Sequence, residues 1–167
     1  MKRKNFQTFS SPHGPALIAD FYLLEKKVQK IELSAHSKPG LQWSIDADSS
    51  DSSVIEAICH WMEAYAQRKN PTVDLPLNLE SLPPYTLFIL QALQTIPFGH
   101  SLSYQELAKK TYRSKAARAV GNACGRNPFP LVIPCHRVLA SGGKLGGYSG
   151  GETIKESLLA FEGIVYQ

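Results

Sequence analysis

The chain has 167 residues, with 18 Lys and Arg against 14 Asp and Glu for a formal net charge of +4, enough for one sizeable core or two small ones. No apolar run approaches the ~20 residues that span a bilayer, and the basic start Met1-Lys2-Arg3-Lys4 is not followed by an apolar signal segment. Three scattered cysteines, Cys59, Cys124 and Cys135, show no C-x-x-C spacing and cannot make a disulfide framework, so a cytoplasmic protein with free thiols and no membrane partner is expected.

The first elements read as a small α/β lobe. Ala16–Leu24 and Val28–Leu33 are apolar-rich and separated by Glu25-Lys26-Lys27, which predicts a hairpin. Lys38–Ser52 is polar and predicts a loop around a short strand near Leu41–Ile45. Ser53 and Glu56 have the spacing of a capping box, opening a helix in which Val54, Ile58, Met62 and Tyr65 recur at helical intervals. Within it Cys59 and His60 read as packing and surface residues, not metal ligands. Asn70–Pro84 holds four prolines and no helical periodicity, which makes it the expected linker between a first domain over 1–80 and a second over 81–167.

The second half predicts a mainly helical domain, giving an α+β chain overall. Tyr85–Thr95 reads as a helix opened by proline and stopped at Pro97-Phe98-Gly99. Ser103 and Glu106 form a second capping-box signal for a helix through about Lys110. After Thr111-Tyr112-Arg113, Ser114 can cap another helix over Lys115–Cys124, and two short helices so joined have the helix-turn-helix outline. One face of the second is almost all Ala and Gly with Arg118 projecting from it. Tight packing in a core and insertion into a groove are both open to such a face.

Charge is uneven along the chain. Residues 1–83 carry nine Lys and Arg against ten Asp and Glu, whereas residues 84–167 carry nine against four. Between Leu107 and Gly151 there are eight basic residues and no acidic one. A solvated basic face and a phosphate-binding surface would each produce this pattern. Just downstream of the helix pair, within this basic stretch, lies Ile133-Pro134-Cys135-His136-Arg137-Val138. A thiol is a strong nucleophile as its thiolate, so a cysteine beside a histidine points to nucleophilic chemistry.

These residues resemble the O6-alkylguanine-DNA alkyltransferases, also called methylated-DNA–protein-cysteine methyltransferases. The resemblance is carried by Ile96-Pro97-Phe98-Gly99, Ser103-Tyr104, Lys115-Ala116-Ala117-Arg118-Ala119-Val120-Gly121 and Asn127-Pro128. It continues through Pro130, the Pro-Cys-His-Arg-Val run, Gly146, Tyr148-Ser149-Gly150-Gly151, Lys155 and Leu158-Leu159-Ala160 to Glu162-Gly163. It spans residues 85–163, and the N-terminal half resembles the family's variable, ribonuclease-H-like first domain loosely.

The resemblance implies direct, irreversible transfer of an alkyl group from O6-alkylguanine in duplex DNA to Cys135, with O4-alkylthymine as a second candidate substrate. It implies that His136, acting through a water and oriented by Glu162, removes the thiol proton. Tyr104 would donate to guanine N3, and the Ser149 amide would contact O6. The carbonyls of Cys135 and Val138 would read the exocyclic amine. Arg118 would fill the stack after the base is flipped. Pro130 and Tyr148 would line the alkyl pocket or shape its loop, and Asn127 would tie the active-site loop to the recognition helix. Lys115, Ala116 and Ala117 would face the DNA, Lys115 as a phosphate contact. No cofactor is implied, and with no cysteine in the first 58 residues no structural zinc site is expected. A monomer is expected, since no dimerisation element is evident.

The chain departs from the family in the turn before the recognition helix, where many members have Gly and Pro and this sequence has Tyr112 and Ser114. Three rivals are a lesion-binding relative without the nucleophile, a Cys-His hydrolase, and a non-enzymatic helix-turn-helix DNA-binding protein whose cysteine senses redox state. Cys135 itself argues against the first.

Overall fold

The computed structural model describes residues 6–111 and 116–167. They fall into two compact units, Met1–Asn78 and Leu79–Gln167, a division two residues before the expected boundary at 80.

In the first unit, strands β1 (Phe6–Ser11), β2 (Leu17–Leu24), β3 (Lys27–Ala35) and β4 (Leu41–Asp46) form one sheet in the order β1-β4-β2-β3. β2 and β3 are the expected hairpin, antiparallel with Phe21 opposite Ile31. Its turn holds Glu25 and Lys26 at φ +51 and +60, the left-handed pair that matches strand twist in a two-residue hairpin. β2 and β4 run parallel, with Leu17 opposite Leu41 and Phe21 opposite Ile45. Along both strands alternate residues are buried: Leu17, Ala19 and Phe21 on one, Leu41, Trp43 and Ile45 on the other, the period-two pattern of a sheet with one covered face. Helix α1 (Ser52–Ala66) packs against β1 and β4 and buries Val54, Ile58, Met62 and Tyr65.

Two expectations need correction here. β1 was not foreseen, because Phe6–Ser11 lacks an apolar alternation. The Ser53/Glu56 capping box is not used. The capping box lies a turn earlier, where Asp48 accepts from Ser50 N at 2.8 Å and Asp51 accepts from Asp48 N at 3.0 Å around a 3-10 turn, Ser49–Asp51. Part of the expected linker is also paired: Val28 N donates to Pro76 O and Asn78 N to Val28 O, at 2.8 and 2.9 Å.

In the second unit, α2 (Pro84–Leu93) starts with proline at its first turn and buries Thr86, Ile89, Leu90 and Leu93. α3 (Tyr104–Lys110) and α4 (Ala117–Gly125) pack on each other and on α2. The Ser103/Glu106 capping box forms as read from the sequence, with Glu106 N donating to Ser103 Oγ at 3.1 Å and Ser103 N to Glu106 Oε2 at 2.6 Å. Tyr112, Ser114 and Lys115, expected to form the turn, cap and first residue of the next helix, lie outside the described residues. β5 (Leu102–Ser103) and β6 (Val138–Leu139) form a two-rung parallel pair, Leu102 opposite Val138 and Ser103 opposite Leu139. α5 (Glu152–Glu162) closes the unit, burying Ile154, Lys155, Leu158, Leu159 and Glu162. It begins after Gly151 at φ +99 without a side-chain cap, so the capping-box spacing of Thr153 and Glu156 is not used. It ends at Gly163, whose φ of +72 gives the left-handed stop glycine provides.

Candidate active site

Cys135 opens a 3-10 turn, Cys135–Arg137, that leads directly into β6. Its thiol is only 4% exposed. The loop before it is closed by Asn127, whose Nδ2 donates to Ile133 O at 2.8 Å and to Cys135 Sγ at 3.3 Å, while its Oδ1 accepts from Phe129 N at 2.9 Å. One side chain thereby shapes the loop and touches the sulfur. Burial pushes the Cys135 thiol up, opposed by the Asn127 and Tyr148 side chains and by the Lys155 charge. The resting group is a protonated thiol, so nucleophilic use needs a base.

A base lies next in sequence. His136 is fully buried, and its Nε2 meets Glu162 Oε1 at 2.7 Å. A carboxylate can only accept, so Nε2 carries the proton and Nδ1 the lone pair. Nδ1 is buried and meets no hydrogen-bonding partner among the described residues. Burial holds His136 below its ordinary range against the pull of Glu162, favouring neutral imidazole. Glu162 is the last residue of α5. Burial tends to raise its carboxyl, but the hydrogen bonds and charges of His136 and Arg137 outweigh this and hold it at about 2. Arg137 donates from Nε to Oε2 at 2.8 Å and from Nη2 to Oε1 at 3.0 Å, and Gly99 N adds a bond at 3.2 Å. The carboxylate is thus saturated with donors, which is how a buried anion at the unfavourable end of a helix is tolerated.

The sulfur faces a cavity of about 290 Å3 lined by Tyr104, Gly121, Cys124, Gly125, Cys135, Gly147, Tyr148 and Ser149. Of the residues expected from the sequence, the fold brings Cys135, Tyr104, Tyr148 and Ser149 to this space, with Asn127 and the His136–Glu162 pair adjoining Cys135. Burial, with Cys124 and Cys135 nearby, pushes the Tyr104 phenol up to about 12, so it is a donor at neutral pH. Burial also raises Tyr148 well above the usual phenol range. Pro130 is half-buried and does not line the cavity. Val138 is buried, and its carbonyl accepts from Lys155 Nζ at 2.8 Å. Arg118 projects exposed from the first turn of α4, with Ala116 and Ala117 half-buried beside it.

Residues 84–164 match the family described as "6-O-methylguanine DNA methyltransferase, DNA binding domain". A methylated-DNA–protein-cysteine methyltransferase of Methanosarcina acetivorans is 34% identical over 164 residues, covering 95% of this chain and 97% of the relative. The chain belongs to the methylated-DNA–protein-cysteine methyltransferase family. Chinese hamster (Cricetulus griseus) and rat members are each 47% identical over 111 residues, a stretch that spans 62% of this chain and only about half, 53%, of their own length. The crystal structure of Mycobacterium tuberculosis OGT in complex with DNA superposes with a TM-score of 0.69 at 30% identity, covering 94% of this chain and 91% of that one.

Three residues at the family's site were given no role by sequence reasoning. Arg137 was counted with the basic surface stretch, yet it is 5% exposed and committed to Glu162 and to Ile96 O at 2.7 Å. Lys155 has no exposed surface and reaches from α5 to the carbonyls of Val138 and Gly147, at 2.8 and 3.4 Å. Cys124 turns out to share the cavity with Cys135.

Proposed function

We propose that this chain repairs DNA by taking the alkyl group of O6-alkylguanine onto Cys135 in a single irreversible step, acting as a monomer in the cytoplasm. The observation that carries the reading is a buried cysteine lining a cavity of about 290 Å3 with two tyrosines, directly beside a neutral histidine held by an ionised carboxylate. Family membership and the DNA bound to the M. tuberculosis relative support duplex DNA as the partner.

In the proposed reaction the Cys135 proton passes through a water to His136 Nδ1, and Glu162 stabilises the imidazolium that forms. The sulfur attacks the alkyl carbon in line. The S–C bond forms as the C–O6 bond breaks, and guanine leaves with the electron pair. Tyr104 donates to N3 of the leaving base, which eases its departure. The Ser149 amide serves O6, and the carbonyls of Cys135 and Val138 accept from the exocyclic amine. Each of these carbonyls already accepts one bond, from Val138 N and Lys155 respectively, and keeps a second lone pair for the base. α3 and α4 act as a helix-turn-helix, with Arg118 entering the stack vacated by the flipped nucleotide.

The test is incubation with a duplex carrying O6-methylguanine, followed by intact mass and peptide mapping. One methyl group per chain on Cys135, followed by arrest, is expected. Sustained turnover at limiting protein, or methyl on Cys59, overturns the reading. Cys135→Ser is expected to abolish transfer and keep lesion binding.

A further inference from the structure

The repair chemistry uses one sulfur, but its cavity holds two. Cys124, in the last turn of α4, and Cys135, at the end of the following loop, are both free thiols lining the same space of about 290 Å3. Burial, and next the neighbouring Cys135, push the Cys124 thiol up to about 12, so it rests as a protonated thiol. Two tyrosines, Tyr104 and Tyr148, line the same space, and no carboxylate or imidazole does.

This donor set narrows the ligand. Oxygen-seeking cations such as Mg2+ and Ca2+ find no carboxylate there. Structural zinc takes four protein ligands, and no group of three His, Cys, Asp or Glu residues suited to a metal occurs among the described residues. A ligand satisfied by two soft sulfurs and carrying an apolar third substituent fits both the donors and the aromatic walls.

We propose that Cys124 and Cys135 form a bidentate thiol site for a monosubstituted trivalent arsenical, whose organic group lies in the cavity with Tyr104 and Tyr148. In the hydrated arsenical two As–O bonds break and two As–S bonds form. Each thiol proton leaves with a hydroxyl as water, and arsenic stays trivalent throughout. The site shares Cys135 with the proposed alkyl acceptor, but its formation requires no DNA and no alkyl transfer.

The test treats the full chain with phenylarsine oxide and reads intact mass. One phenylarsenic group per chain is expected, retained against excess glutathione and released by a dithiol. Two-point attachment should raise the glutathione needed for release about a hundredfold over a single thiol. Cys124→Ala and Cys135→Ser are each expected to lose that margin, and Cys59→Ala to keep it. Wild-type protein gives a second measurement that does not depend on the variants folding. Tryptic cleavage at Arg118, Arg126 and Arg137 puts the two cysteines on different peptides, 119–126 and 127–137. A bridging arsenic must hold these two peptides in one species. Separate peptides, arsenic on Cys59, or equal retention by Cys124→Ala overturns the proposal and leaves the alkyl-transfer reading untouched.

Discussion

Arg137 grips Glu162 through two nitrogens, Nε on Oε2 at 2.8 Å and Nη2 on Oε1 at 3.0 Å, while its third nitrogen holds Ile96 O at 2.7 Å. The carboxylate that orients His136 is therefore fixed at both of its oxygens, Oε1 being shared by Arg137 and the imidazole. Removing one partner of a buried ion pair strands the other charge, at a cost of about 3–5 kcal/mol. Arg137→Met is expected to lose stability of that order in urea unfolding. Arg137→Lys is expected to restore little, because an ammonium cannot reproduce the planar fork. A loss within 0.5 kcal/mol, the range usual for surface substitutions, would mean that the carboxylate finds other donors.

Glu162→Gln keeps the shape of the side chain and removes its charge. The imidazolium formed on proton transfer then loses its stabilising anion. The transfer rate is expected to fall by about 100-fold, the low end for a general acid–base contribution. Affinity for unmodified duplex should change little. Single-turnover rates and a binding isotherm on the same variant separate the two effects, and equal losses in both would assign Glu162 to the fold alone.

Stability should fall on acidification in two stages. His136 is held below its ordinary range, so the unfolded chain takes up that proton first, and stability declines as pH drops below about 6.5. Glu162, depressed from 4.5 to about 2, stabilises the fold fully above pH 4.5 and loses that contribution as pH falls toward 2. Urea midpoints measured from pH 8 to pH 3 should show the lower-pH loss largely removed in Glu162→Gln. An unchanged acid limb in that variant would place the titrating group elsewhere.

Arg118 is exposed on the first turn of α4. If it occupies the vacated stack, Arg118→Ala should slow repair in duplex DNA at least tenfold while leaving reaction with free O6-benzylguanine within about twofold. The free base needs no extrusion, whereas the duplex requires a few kcal/mol of unstacking and unpairing. Parallel decline of the two rates would reject the flipping role.

Much of the local structure was legible because it rests on short-range chemistry. Ser103 and Glu106 are three residues apart and satisfy each other's backbone, so their spacing announces the start of α3. The first domain misled where two signals competed: Ser53 and Glu56 have capping-box spacing, but the Asp48/Asp51 box one turn earlier takes that role. The residues that hold the site together were the least visible. Arg137 reads as one more cation of the basic stretch and Lys155 carries no mark of burial, since their burial depends on Ile96, Glu162, Val138 and Gly147, some of them far along the chain. Cys124 gives no sign of sharing a cavity with Cys135, because ten residues of helix end and loop lie between them and only the folded loop brings them to one space.

The two rungs between β5 and β6 have a kinetic consequence. Leu102 and Ser103 sit immediately before Tyr104, and Val138 and Leu139 immediately after the Cys135 turn, so this pairing registers the phenol against the thiol. It also closes the long loop that contains α3, α4 and the Asn127 segment. Loop closure of this kind costs chain entropy before any contact repays it, so α3 can form early and the nucleophile's surroundings only at the end. Amide exchange at Leu102 and Leu139, whose amides are not taken by the Ser103 cap or the Cys135 turn, should then follow the global unfolding of the C-terminal unit and not local fraying. A half-folded chain accordingly carries its cysteine without the neighbours that would make it a reagent.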